Sequence, residues 1–568
     1  MKKIVFIGIL SFLIVFINNT FLFAQETSKI QKAEKSIEQE KILREKIEKE
    51  RPVPSIKKEL PPEITPPPVS EEKVLIKKIV VSGTTLVSEK EINDIILCFE
   101  NKEITLKGMR EIADSITKLY RRKGYITSRA YLPPQKIKEA ILEIKVLEGI
   151  TGDIEIKGNR YFKTSLFKNM IILKKGSPLD YNLLRKSMIK INEQPDRNII
   201  ATLNPGKDLL STDIHLKVED RLPMHIGFNW NNYSSRYIDR DSLQTTLTHN
   251  NLLGMGDILE FQYQIAQGEN YRLLNLRYLL ALNEGLKLGF FTSRSKLKLG
   301  RECEDLNARG KNLLYSIYAI QSLIDGESTT LSLNAGFDYK DNFNFQSGEE
   351  INRDRLRVAK LEWDLDVADA LGKTIIINEI DYGIPNILAG LKKVDERSSR
   401  DGSGGKFIKN TLSLIRLQRM PFNSTLLWKN QLQSSPYILP ATEQFQIGGI
   451  SNVRGYPPGE ASGDKGYSMT WEWSFPVYFI PEDIKVPLSK ITLSNALRTV
   501  IFYDWANTRL RNPQTNNQKT RTLRGAGWGM RFNPSKGFSI KIDFAYPLDN
   551  TPSDNTHLHT WCEASISF

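Results

Sequence analysis

Cysteine is scarce in this chain: Cys98, Cys303 and Cys562 are the only three among 568 residues, an odd number set far apart. That spacing excludes both a disulfide framework and a zinc ribbon. The five histidines show no metal-ligand spacing apart from His557 and His559, which read as two same-face residues at a strand end. No G-x-x-x-x-G-K-[ST] phosphate loop, G-x-S-x-G elbow or H-E-x-x-H helix occurs, so nucleotide hydrolysis and the common hydrolase chemistries lack their residues. No catalytic site, metal site or cofactor is therefore expected. Long hydrophobic runs are also missing. Past the N-terminus nothing approaches the ~20 apolar residues of a spanning helix. Such a chain can cross a membrane only as a closed barrel.

What is present begins with an export signal. Lys2 and Lys3 form a basic start, Ile4 to Ile17 an apolar stretch, and Phe23-Ala24-Gln25 a cleavage point, so residues 1–24 read as a signal peptide. A retained anchor is the alternative, but the apolar stretch stops at Asn18 and Asn19. The net charge of +13 would suit nucleic acid or an anionic surface. Export argues against nucleic acid and for lipid headgroups or a charged lumen.

Residues 25–51 are charge-rich, with Ile30, Ala33, Ile37, Leu43 and Ile47 on one helical stripe. A helix with a thin apolar face is expected, either a pore plug or regulatory element, or else a solvated stalk or coiled-coil contact. Residues 52–73, PVPSIKKELPPEITPPPVSEEK, are too proline-rich for helix or sheet and read as an extended linker.

From 74 to 221 the chain repeats itself. The first unit (74–149) opens with VLIKKIVVSG, then a helix with a capping box of Ser88 and Glu91. A second helix follows, carrying Met109, Ile112, Ile116, Leu119 and Tyr120 on one face; then come YITSRAYLPPQ and the strand ILEIKVLEG. The second unit (150–221) runs from GDIEIKGNRYF to STDIHLKVED, with Gly158 matching Gly83 and Leu216-Lys217-Val218 matching Ile144-Lys145-Val146. Each unit is expected to be β-α-α-β-β, an antiparallel sheet with two helices on one face. An open edge of such a sheet can accept another chain's strand.

From 222 to 568 alternation of period two takes over, in about sixteen segments. Short turns such as NEG and MPFN alternate with long polar loops such as LGRECEDLNARGK, NFQSGEEINR and LKKVDERSSRDGSGG. An even strand number with short turns on one side and long loops on the other is the pattern of an outer-membrane barrel. The soluble alternative, a β-sandwich or propeller, lacks a blade repeat. The connection around IPEDIKVPLSKITLSNA is longer than an inward turn should be.

Between two late strands, from about Ser434 to Lys465, lies QIGGISNVRGYPPGEASGDKGYS. So long a Gly/Pro-rich connection is usually functional or disordered. Its Val453-Arg454-Gly455-Tyr456 resembles the sixth-loop signature of the POTRA-containing outer-membrane transporters and assemblers. Phe502-Tyr503-Asp504-Trp505-Ala506 resembles the partner motif on their thirteenth strand, with Ala506 where the family usually has glycine. Tyr125 to Gln135, including Leu132, Pro133 and Pro134, resembles the first POTRA domain of two-partner secretion transporters, the TpsB or ShlB/FhaC/HecB family. The terminal strand HTWCEASISF, with Ile566 and Phe568, resembles the signal that directs insertion of such barrels; its plainer reading is a last strand facing lipid.

The resemblance implies a transmembrane antiparallel β-barrel of about sixteen strands, preceded by a helix, a linker and two periplasmic POTRA domains. It implies that the loop folds back into the lumen, where Arg454 meets Asp504, with Gly455 allowing a sharp turn. The pair would gate the pore, stabilise the barrel, or both. The implied function is capture of an unfolded exoprotein (TpsA-like) by POTRA sheet edges and its ATP-free export through a monomeric barrel. Lipid and the barrel-assembly machinery are the implied further partners. The rival readings are an outer-membrane assembly factor, which usually carries three or more POTRA units, a diffusion pore, and a barrel enzyme.

Overall fold

The computed structural model describes residues 27–40, 46–47, 55–58 and 72–568, less 138, 195, 284, 482, 488, 490, 514–517 and 536. The proposed signal peptide lies outside these residues. The chain divides into two units, Arg51–Pro223 and the remainder.

Within the first unit the sequence repeat is a structural repeat. In each half an opening strand leads through two helices to a hairpin: Lys78–Ser82 to Arg129–Tyr131 and Ile141–Leu147, then Ile150–Lys157 to Arg197–Pro205 and Ser211–Asp220. Neither sheet is purely antiparallel, as the sequence suggested. The hairpin strands are antiparallel, but each opening strand runs parallel to the closing strand. The helical pair acts as a crossover and returns the chain to the same end of the sheet.

Two details show how deep the repeat runs. Gly83 and Gly158 have φ of +83° and +95°, and a Cβ on either would stand 2.5 Å from the carbonyl oxygen of Val146 or Val218. Only glycine fits there. Two residues beyond each valine a carboxylate caps the turn that follows the glycine. Glu148 accepts from the N–H groups of Thr85 (2.7 Å) and Leu86 (2.9 Å), and Asp220 from those of Arg160 (2.8 Å), Tyr161 (2.7 Å) and Phe162 (3.0 Å). All five apolar residues predicted for the second helix, Leu106–Arg122, are buried. Ser88 precedes the first helix as expected, but its hydroxyl donates to Glu91 (2.7 Å) and caps no backbone group.

The linker contains a strand that its prolines argued against. Ser55–Lys58 pairs in parallel with Ile200–Leu203 and adds a fourth strand to the second sheet. The four residues fall between prolines, so no ladder N–H is lost.

The second unit is a closed barrel of sixteen antiparallel strands, numbered here 1 to 16 in chain order. Strand 1 (Met224–Asn231) closes on strand 16 (His559–Ser567), pairing Gly227 with Ser567 through Asn231 with Glu563. Strand 12 (Lys465–Pro476) shows how alternation sorts the wall. Its Ser468, Thr470 and Glu472 are buried, facing inward, while Trp471 and Trp473 lie 47% and 45% exposed on the lipid side. NFQSGEEINR is not a long loop. Strands 7 (Thr329–Gln346) and 8 (Glu349–Asp369) run through it to a two-residue turn, Ser347-Gly348, with φ of +51° and +92°. Positive φ at both positions suits a tight turn that follows the sheet's twist.

Residues 27–40 form a helix inside the barrel. Burial is not confined to its apolar stripe: Thr27, Ser28, Gln31 and Glu34 are buried alongside Ile30 and Ala33. Inward-facing polar groups explain this. Asn344 donates to Ser28 (2.8 Å), Ser234 to Glu34 (3.1 Å), Gln262 to Glu38 (3.1 Å) and Lys429 to Glu40 (2.6 Å). Ile47 is buried against Ile375 and Ile415; Leu43 lies outside the described residues.

Candidate functional site

Strands 11 (Ser424–Ser434) and 12 are joined by residues 435–464, which fold back into the barrel and carry a small hairpin, Phe445–Ile447 with Ala461–Gly463. Gly448 and Gly449, at φ of +106° and +85°, turn the chain out of that hairpin toward Arg454. The cross-strand ladder then decides what Arg454 meets. Thr470 pairs with Asp504, and Glu472 sits two residues further along the same inward face. Asp543 of strand 15 (Phe538–Pro547) reaches the same point from across strand 14 (Thr520–Ser535).

Arg454 is 1% exposed and bound on every side. Its Nε and Nη2 donate to the two oxygens of Asp504 at 2.9 and 3.0 Å, and its backbone N–H adds a third bond at 3.1 Å. Nη1 donates to Glu472 (2.7 Å) and Asp543 (3.4 Å). The guanidinium lies 3.4 Å over the ring of Phe502, and the Arg454 carbonyl accepts from the Trp561 indole at 2.8 Å. A planar fork on a carboxylate, stacked on an aromatic face, is an arrangement lysine could not reproduce. Arg531 pairs with Asp543 (2.5 Å) and Glu472 (3.5 Å), so two cations face three carboxylates.

The neighbours of Arg454 anchor the loop by packing. Val453 and Tyr456 are fully buried with Ala506 and Leu523, and the Ala506 methyl that replaces the family's glycine is part of that cluster. The chain turns at Gly455 as expected, the Tyr456 N–H donating to the Val453 carbonyl at 3.2 Å, but without a positive φ. A Cβ there would stand 2.6 Å from the Tyr546 carbonyl oxygen, so glycine is required because the loop presses on strand 15.

Three groups at this site escaped the sequence reading. Glu472, Asp543 and Trp561 each sit at an inward position of an alternating strand, and a charge or indole on that face was the available signal. Which of them converge depends on register. A second anchor was also missed. Glu443, early in the loop, accepts from Lys340 (2.9 Å) of strand 7 and Lys409 (2.6 Å) of strand 10 (Phe407–Met420), on another arc of the wall. The loop also touches the helix: Gln446 donates to the Lys29 carbonyl (2.8 Å), and Lys429 donates to both Glu40 (2.6 Å) and the Ser451 carbonyl (2.6 Å).

The remaining sequence-singled residues lie elsewhere. Tyr125 and Leu132 pack at the edge of the first repeat's core. Pro133 and Pro134 cannot donate to the adjacent strand, and the Gln135 amide replaces the missing ladder: it accepts from the Glu143 N–H (2.9 Å) and donates to the Glu143 carbonyl (2.7 Å). Ile566 faces outward at the seam, and the Phe568 N–H donates to the Ile226 carbonyl at 2.9 Å.

The chain was then compared with known proteins. It is 23% identical over 488 residues to the heme/hemopexin transporter protein HuxB of Haemophilus influenzae (strain 86-028NP), covering 83% of this chain and 82% of that one. It is 22% identical over 420 residues to the hemolysin transporter protein ShlB of Serratia marcescens, covering 71% and 72%. Among solved structures, CdiB from Escherichia coli superimposes with a TM-score of 0.72 at 18% identity over 96% of this chain and 98% of that one. CdiB from Acinetobacter baumannii gives 0.63 at 17% identity over 95% and 99%. The ShlB-type POTRA domain matches residues 74–149. With the haemolysin secretion/activation protein family ShlB/FhaC/HecB matching residues 211–532, the chain belongs to that family, as a two-partner secretion transporter of the outer membrane that translocates an exoprotein.

Proposed function

We propose that this transporter captures its exoprotein by strand addition at the Arg197–Pro205 edge of the second POTRA sheet. The observation that carries this is that the edge already holds an added strand, the chain's own Ser55–Lys58. An edge that accepts four residues of linker through main-chain bonds offers the same ladder to an unfolded cargo, with little demand on sequence. Displacing the linker strand then pulls on the helix at 27–40, which serves as the resting plug of the pore. The Arg454 clamp holds the loop as the second barrier, and the cargo threads past both without ATP. Folding outside the cell, worth ~5–15 kcal/mol per domain, rectifies the movement. The barrel works as a monomer. Ile566 and Phe568 serve as its insertion signal for the assembly machinery.

The test is export with the edge locked. Lys57 and Thr202 are parallel partners, so Lys57→Cys with Thr202→Cys, in a Cys98→Ser background, offers a disulfide across the rung. A candidate exoprotein is co-expressed with the chain and assayed in the medium. Export that fails when the pair is oxidised and returns on reduction supports capture at this edge. Export indifferent to the lock refutes it, and accumulation defects in other outer-membrane proteins would favour an assembly factor instead.

A further inference from the structure

On the outer face of strands 5 (Leu286–Lys298) and 6 (Arg309–Asp325), alternation carries apolar residues for most of the wall and then changes character. Leu288 and Phe290 are exposed on strand 5, with Ile317 and Tyr315 on strand 6. Beyond Thr292 and Leu313, the outward positions toward the extracellular end are Arg294, Lys296 and Lys298, with Lys311 and Arg309 facing the last two. All five are exposed, while Ser295, Leu297 and Gly310 between them are buried toward the lumen. From Leu286, where the outward apolar face of strand 5 begins, to Arg294 is about 26 Å along the strand. The change therefore falls where a hydrocarbon band ~25 Å tall gives way to headgroups.

The register makes this cluster costly. Lys298 stands directly opposite Arg309, Lys296 opposite Lys311, and Arg272 of strand 4 (Tyr271–Ala281) opposite Lys296 on its other side. Like charges at cross-strand positions destabilise a sheet. Compensation within the chain is slight. Arg272 pairs with Glu269, and Lys311 lies 4.9 Å from the Phe345 ring. Among the described residues no carboxylate makes an ion pair with Arg294, Lys296, Lys298, Arg309 or Lys311. Glu302, in the intervening loop, reaches Arg236 instead at 3.4 Å.

We infer that this face is a binding site for a phosphate-bearing lipid headgroup of the outer leaflet, its acyl chains lying against Leu288, Phe290 and Ile317. Two anionic phosphates would relieve the three cross-strand repulsions, and Arg294 would meet them at the band's edge. The inference rests on the outer-membrane location, not on how cargo is captured.

The probe is bis-phosphorylated lipid A, titrated against the full chain in maltoside micelles beside a phosphate-free lipid A. Wild type is expected to bind the phosphorylated form at least tenfold more tightly, with affinity falling as salt rises. Lys296→Gln with Lys298→Gln and Lys311→Gln should remove most of that preference and leave heat-modifiable migration on gels intact. Equal affinity of wild type for the two lipids overturns the inference, as does a folded variant with unchanged preference. If the variant does not fold, the wild-type comparison alone decides. Full competition by millimolar inorganic phosphate would mean a free-anion site and would also overturn it.

Discussion

Removing Asp504 should release the lumen loop, and the cost can be worked from its contacts. In Asp504→Ala the Arg454 guanidinium loses two charge-assisted bonds and its backbone N–H loses a third. Breaking a buried pair costs about 3–5 kcal/mol when the surviving charge is left uncompensated. Here Glu472 remains at 2.7 Å and Asp543 at 3.4 Å, so the lower end, about 3 kcal/mol, applies. At about 1.4 kcal/mol per decade the released loop becomes roughly 100-fold more populated. Arg454→Ala should be worse, because it leaves three carboxylates facing Arg531 alone. The assay is maleimide labelling of Ser462→Cys, a buried loop position, in cells with Cys98→Ser removing the one exposed cysteine among the described residues. Labelling should accelerate about a hundredfold in Asp504→Ala, further in Arg454→Ala, and to an intermediate degree in Arg454→Lys, which keeps the charge but not the fork. Rates within threefold of wild type in all three would refute the clamp.

Lys429 holds both the helix, through Glu40, and the loop, through the Ser451 carbonyl. Lys429→Ala should therefore raise single-channel conductance in planar bilayers more than Glu40→Ala does; equal increases would mean the helix contact alone matters. Glu148 contributes to the acid stability of the first POTRA unit. Burial pushes its carboxyl up, but hydrogen bonds from Thr85, Tyr120 and Leu86 outweigh this and hold it below the ordinary carboxylate value. Its contribution is thus complete above about pH 4.3 and is lost as pH falls through the lower folded value. Glu148→Gln should be less stable at pH 7 and should flatten the loss of stability below pH 4, followed by denaturant unfolding; an unchanged acid limb would remove Glu148 as its cause. Gly158→Ala forces a methyl to 2.5 Å from the Val218 carbonyl at φ of +95°. It should destabilise the second unit by about 1–3 kcal/mol, read from the shift in urea midpoint, and a shift near zero would contradict the fit.

The sequence alone carried the architecture, because period-two alternation, turn lengths and repeat spacing are local properties of a chain. Its glycines were legible too: Gly83 and Gly158 matched by position, and both occupy the same backbone corner. Arg454 and Asp504 were found as motifs. What gathers around them was not, since Glu472, Asp543 and Trp561 come from three strands whose convergence is set by cross-strand register and by barrel closure. The linker strand shows the same limit. SIKK between prolines carries no sheet signal of its own, and only the unpaired edge at Ile200–Leu203 makes it a strand. Burial of the 27–40 helix was likewise a tertiary decision: composition left a plug and a solvated stalk open, and the helix is enclosed because its polar face meets a polar lumen. Local pattern fixes which way each side chain points. Only the closed sheet decides which side chains, far apart in the chain, point at one another.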